Sequence, residues 1–178
     1  MKRVIFAAVS GLALMGAQNA TAADGTITIS GQVIDAGCDI SVNGGTGDST
    51  VVLPSVSKNT LANPGDTAGN TTVSLSLSGC PDTGGVRAYF EALNVDQSTG
   101  HLLNTAATPA DNVEVQVTDA AGTGIDLRTN TTNNFVNFID GGAGTGTADL
   151  QYGVQYVATG AATAGQVETQ LTYSLEYQ

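Results

Sequence analysis

The stretch GTITISGQVIDAGCDISV, residues 25–42, decides how the whole chain is read. Ile27, Ile29, Val33, Ile40 and Val42 are apolar, Thr26, Thr28, Ser30 and Gln32 are interleaved among the first of them, and a period of two marks extended strand. As one strand it is too long. Its eighteen residues would reach roughly 60 Å, about three times a usual strand, and neither Pro nor Asn-Gly interrupts it. Part of the stretch is therefore expected to do something other than pair within its own sheet.

Upstream, residues 1–22 carry Lys2 and Arg3, an apolar run over 4–17 and a small-x-small end at Ala20-Thr21-Ala22. That is the three-part pattern of a signal peptide, with cleavage expected after Ala22 and a mature chain that is exported and soluble. The apolar run is short for a bilayer span, so no direct membrane insertion is expected. Export into an oxidising compartment makes Cys38 and Cys80, a sparse pair without CxxC spacing, a disulfide rather than a metal site. Such a loop closure contributes on the order of 3 to 4 kcal/mol in the chain-entropy model. The competing reading is two unrelated buried thiols.

Removing Lys2 and Arg3 leaves Lys58, Arg87 and Arg128 as the cations against sixteen carboxylates. Nucleic acid and anionic membrane are poor partners for that surface. The acids are scattered singly, as on a solvated face. Abundant Thr, Asn and Gly and the absence of Trp point to one all-β domain of about 156 residues.

Turn residues divide the mature chain into short alternating runs. Strands are expected at 51–53, 71–79, 86–93, Val113–Thr118 and 150–157, with a brief one at Leu102-Leu103. Residues 57–70 read as a surface loop, 119–124 as a hairpin-like turn, 129–134 as polar and exposed, and 135–139 as a small apolar cluster. Residues 166–178 alternate without a break, with Val167, Thr169, Leu171, Tyr173, Leu175 and Tyr177 on one face. Many short strands with Gly-rich turns and one disulfide argue for an antiparallel two-sheet sandwich.

The last strand has nothing after it to cover its edge, and a long apolar-faced edge is an aggregation hazard unless something pairs with it. A surplus strand in front and an uncovered one behind explain each other if the front segment of one molecule completes the sheet of another. That head-to-tail contact does not close on itself and gives a filament. The plainer alternative makes the Ile27, Ile29, Val33 stripe an edge strand of its own domain.

At this point the residues resemble a known family, the type 1 fimbrial subunits of the chaperone-usher pathway. The resemblance is carried by ADGTITISGQVIDAGC ending at Cys38, by SLSGC ending at Cys80, by YVATGAATAG over 156–165 and by the terminal YSLEYQ. Gly165, fourteenth from the end, and Tyr177, next to last, match the family's C-terminal signature, while Ala164 stands where relatives often carry Pro. The resemblance implies an incomplete immunoglobulin-like sandwich over 33–178, lacking its last strand and completed by a donor strand from an N-terminal extension, 23–32. It implies a donor row of Gly25, Ile27, Ile29, Gly31 and Val33, and an acceptor groove and chaperone-recognition set of Gly165, Leu171, Tyr173, Leu175, Tyr177 and Gln178. The implied partners are neighbouring pilin subunits, a periplasmic chaperone and an outer-membrane usher, with the product a surface fimbria supporting adhesion. A host receptor is not indicated.

Other classes fit less well. The lone His101 is expected in an exposed loop without a Cys or an acidic partner, too little for a triad or a His-based metal site. The carboxylates lack EF-hand spacing. No catalytic or metal-binding residue is assigned, no cofactor is expected, and the chain is not read as an enzyme. The sequons at Asn70 and Asn130 are of the kind that arise by chance in an Asn- and Thr-rich chain. A tip adhesin would carry an additional receptor-binding domain, so a shaft subunit is the first reading and a minor adaptor the second.

Overall fold

The computed structural model describes residues 28–29, 31, 37–142 and 145–178. The chain divides into two compact units, Met1–Val33 and Ile34–Gln178. Of the first, Thr28, Ile29 and Gly31 are described and all three are exposed. The expected leader at 1–22 lies outside the described residues.

The second unit is almost entirely β. Its strands are β1 (Asp39–Val42), β2 (Thr67–Cys80), β3 (Gly85–Phe90), β4 (Val113–Thr118), β5 (Val136–Asn137), β6 (Gly146–Ala158) and β7 (Tyr173–Tyr177). Every pairing between them is antiparallel, in a four-stranded sheet of order β1-β2-β6-β4 and a three-stranded sheet of order β5-β3-β7. The inward rows of the two sheets, with Leu75 and Leu77 from β2, Val86 and Ala88 from β3, Val115 and Val117 from β4 and Leu150 from β6, form one core. Among the described residues no helix is long and apolar enough to cross a membrane.

The tail of the opening stretch joins this core as expected. β1 pairs β2 with Asp39 opposite Ser78 and Val42 opposite Leu75, and the ladder is fastened just beyond its end by the Cys38–Cys80 disulfide, whose Cα atoms are 4.5 Å apart. Asn43 and Gly44, both at positive φ, then turn the chain. At the hairpin 119–124, Asp119 N–H donates to the Thr123 carbonyl and the Asp119 carboxylate accepts from the N–H groups of Ala121 and Thr123.

Four expectations need correction. Residues 51–53 form no strand; Pro54 removes a donor where the ladder would continue, and only Leu53 packs on the core. The expected loop 57–70 already contains a short 3-10 helix, Lys58–Leu61, and the first residues of β2. Residues 166–172 are not part of β7. They run beside a loop, with Gln166 N–H donating to the Thr108 carbonyl and Thr105 N–H to the Glu168 carbonyl.

The fourth concerns 129–134, whose Asn130 and Asn133 are only 2% and 3% exposed. β5 covers β3 only at Gly85 and Val86. Beyond it, Asn130 stands in for a strand: its Oδ1 accepts from Phe90 N–H at 2.8 Å and its Nδ2 donates to the Phe90 carbonyl at 2.9 Å. Asn133 Nδ2 donates to the Ala88 carbonyl, and the Tyr152 hydroxyl accepts from Ala88 N–H and donates to Asn133 Oδ1. A buried strand edge is thereby satisfied by side chains, as buried backbone groups require. Burial raises the Tyr152 pKa above the usual phenol range.

Candidate functional site

The two sheets close over the core unevenly. β3 and β4 bury their inward rows, Val86, Ala88 and Phe90 and Val113, Val115 and Val117, almost completely. In the corresponding row at the end of the chain, Val167, Leu171, Tyr173, Leu175 and Tyr177 pack on the core but are only partly buried, and Thr169 between them has a buried hydroxyl. One side of β7 is held by β3, from Phe90 opposite Tyr173 to Val86 opposite Tyr177. Its other side carries no strand among the described residues. The result, among the described residues, is a shallow apolar groove bordered by a strand edge without a strand partner, the condition in which a further strand adds both main-chain bonds and buried area.

Two tyrosines set the groove's far wall. The Tyr173 hydroxyl donates to the Gly47 carbonyl at 2.8 Å, and the Tyr177 hydroxyl accepts from Cys38 N–H at 3.0 Å. They tie β7 to the segments flanking β1, the edge of the opposite sheet. A Cβ at Gly37 would stand 3.0 Å from the Tyr177 hydroxyl. Partial burial raises the Tyr173 pKa, with Asp48 adding to the shift.

The outer face of β7 is fixed by Arg87. Its guanidinium grips Glu176 through Nε at 2.8 Å and Nη2 at 2.7 Å, donates through Nη1 to the Asn133 carbonyl, and lies 4.6 Å over the Phe135 ring. The end of the chain is clamped by main chain: Gln178 N–H donates to the Gly85 carbonyl and Gly85 N–H to the Gln178 carbonyl. Gly84, at φ +100°, is needed there, since a Cβ would overlap the Gln178 carbonyl oxygen.

Of the expected acceptor residues, Leu171, Tyr173, Leu175 and Tyr177 therefore share one face, and Gln178 closes its end. Gly165 precedes that row and lines the depression at its start. It lies outside the row, where a Cβ would strike the Pro109 carbonyl and the Ala110 nitrogen, and it permits the 108–110 backbone to pair with Gln166. The depression it lines, of about 230 Å³, is also lined by Val56, Leu61, Val113 and Val167. Of the expected donor row, Ile29 is 91% exposed and Gly31 is exposed. Gly25, Ile27 and Val33 lie outside the described residues.

His101 departs from its expected exposure and isolation. It is a half-buried loop residue whose ring lies against β4, with Nδ1 3.1 Å from Glu114 Oε2 and Nε2 3.3 Å from Gln116 Nε2. The nearby Thr99 hydroxyl donates to Glu114, not to the imidazole, so it is not poised as a nucleophile. Nothing in the one-dimensional spacing distinguished Glu114 as its partner, and the strand-capping roles of Asn130 and Asn133 were equally silent.

Comparison with known proteins agrees with this architecture. The family model of type-1 fimbrial protein A (FimA) matches residues 53–178. The major fimbrial subunit SMF-1 of Stenotrophomonas maltophilia (strain K279a) is 44% identical over 170 residues, covering 89% of this chain and 95% of that protein. The F17 fimbrial protein of Escherichia coli is 37% identical over 186 residues with 100% of both chains covered. In fold, the P pilus rod subunit PapA superposes with a TM-score of 0.57 at 17% identity, covering 80% of this chain and 100% of that one. A chaperone-usher pilus solved for the basis of rod uncoiling gives 0.57 at 20% identity, covering 88% and 96%. The sandwich is thus the immunoglobulin-like fold of pilus subunits, and this chain belongs to the type-1 fimbrial protein family as a structural subunit of an exported surface fimbria.

Proposed function

We propose that this subunit polymerises by strand donation. The extension 23–32 of one copy, continued to Val33 at the start of its 33–178 domain, enters the groove beside β7 of the next and turns Gly25, Ile27, Ile29, Gly31 and Val33 inward. The observation that supports this most is the partly exposed row from Val167 to Tyr177 beside a strand edge that has no strand partner among the described residues, where the inward rows of β3 and β4 are sealed. Burying Ile27, Ile29 and Val33 is worth about 5 to 9 kcal/mol in all before ordering costs. Each subunit gives one strand and receives one, and the chain of contacts stays open-ended.

Until the donor arrives the groove needs a temporary cover. In this reading a periplasmic chaperone supplies it and holds the Gln178 carboxylate with basic residues, and an outer-membrane usher is where the neighbouring subunit replaces it. The subunit is a repeating shaft component whose work is mechanical rather than catalytic, and the fibre it builds supports adhesion. Ile29→Asp is the test of donation: a carboxylate in the groove costs about 3 kcal/mol or more. The variant is expected to fold and to accept a donor but to give no ladder of stable oligomers on a gel run without heating. A wild-type ladder would refute the donor role. Deleting 175–178 is expected to abolish recovery from the periplasm, and normal recovery would count against chaperone recognition there.

A further inference from the structure

Outside the expected leader the chain has three cations against sixteen carboxylates. Arg87 is committed to Glu176 and Arg128 to Asp126. Lys58 stands in no ion pair among the described residues. It is exposed, and it lines the depression at the start of the groove together with Val56, Leu61, Ala110, Val113 and Val167. Neither Asp66, which accepts from Asn63, nor Asp111, which accepts from the Thr163 hydroxyl, forms an ion pair with it. A cation without an ion-pair partner among the described residues, on so acidic a molecule and at the mouth of the groove that the proposed donor enters, is complementary to a carboxylate of that donor.

The direction of the donor decides which carboxylate. The inward donor positions 25–33 and the groove positions 169–177 have the same length, so the strand fits in either direction. Antiparallel entry sets Val33 beside Thr169, next to the depression that Val167 lines, and Gly25 at the end closed by Tyr177 and Cys38. Parallel entry would put the glycine next to the hollow and the valine against the closed end. Size complementarity and the better hydrogen bonding of antiparallel pairs both favour the first arrangement. Asp35 lies outside the described residues; in an extended donor, the position two residues beyond Val33 falls on the same face about 7 Å farther along, and that position is Asp35.

We infer that Lys58 of the accepting subunit pairs with Asp35 of the donor, and that this contact makes a second copy of the same chain a favoured occupant of the groove. The pairing presupposes strand donation. It offsets, at the point of entry, the repulsion between two strongly acidic subunits, and it acts on association and register more than on the final stability of the fibre. A donor with a basic residue at the position of Asp35 is disfavoured by the same contact.

The test follows assembly of the purified full chain by light scattering at about 20 mM and about 500 mM NaCl, conditions in which exposed charges are weakly and strongly screened. Lys58→Glu and Asp35→Lys are each expected to slow assembly about three- to tenfold at low salt, and the double exchange to return it to within about twofold of wild type. In high salt the differences should collapse. Single exchanges that assemble at the wild-type rate, a double exchange slower than either single, or a slowing that persists in high salt would overturn the pairing. Rescue of Lys58→Glu by Asp24→Lys in place of Asp35→Lys would also overturn it, because that is the result of parallel entry. Ile29→Asp, run alongside, separates the two readings. If it fails to assemble while the charge exchanges have no effect, only the ion pair is lost; if it assembles as wild type, donation itself is refuted.

Discussion

Asn130 carries a load that its polarity hides. Its amide exchanges two hydrogen bonds with the Phe90 main chain, at 2.8 Å and 2.9 Å, where no strand reaches β3. Asn130 is also in the left-handed region at φ 54°, so glycine is the substitution that removes the amide without adding backbone strain. Asn130→Gly leaves one buried N–H and one buried carbonyl unmet, each costing about 1 to 3 kcal/mol, and adds a small entropy term. A loss of about 3 to 5 kcal/mol is expected. With a urea m-value near 2 kcal/mol/M this lowers the unfolding midpoint of the purified chain by about 1.5 to 2.5 M at unchanged m. Asn130→Asp keeps the acceptor for Phe90 N–H but turns a carboxylate oxygen on the Phe90 carbonyl. It should be about as damaging at neutral pH and recover partly in acid, where the protonated carboxyl can donate. A midpoint shift below about 0.3 M for Asn130→Gly would refute the surrogate-strand reading.

Other outcomes follow from the same geometry. Gly165→Ala should cost about 2 kcal/mol or more, because its Cβ strikes the 109–110 backbone; wild-type stability in urea would contradict that role. Hydrogen bonding from Arg128 lowers the Asp126 pKa. Stability from that pair is therefore fully present above the unfolded carboxylate value of about 4 and is lost as pH falls through the lower folded value. Arg128→Gln should flatten that part of the acid limb, modestly since both side chains are about one-third exposed (34% and 30%), and an unchanged acid profile would argue against it.

Where two-residue alternation coincided with sealed burial, the strands were legible: 71–79 within β2, Val113–Thr118 as β4, and 150–157 within β6. The disulfide was legible from compartment and count. Alternation misled at 166–172, where the residues face the core alternately but the neighbouring backbone is an irregular loop, so the pattern survived without a ladder. Polarity misled at 129–134, because an amide that satisfies a strand edge has the same composition as one that faces water. The shared face of Leu171, Tyr173, Leu175 and Tyr177 was legible in their alternation, while the donor row named for it remains a proposal. The packing of Gly165 on the 109–110 backbone and the Gly84-Gly85 clamp on Gln178 were not legible, since each depends on an approach between segments distant in sequence.

The central claim is that the front of one copy lies beside β7 of another. A photo-cross-linking residue at position 29, in fibres assembled from a mixture of isotopically light and heavy chains, tests it directly. Mass spectrometry should find position 29 joined to a peptide within 166–178, with light-heavy pairs present in the proportion expected for contact between different molecules. Cross-links confined to the same chain, or directed to a surface away from β7, would contradict it.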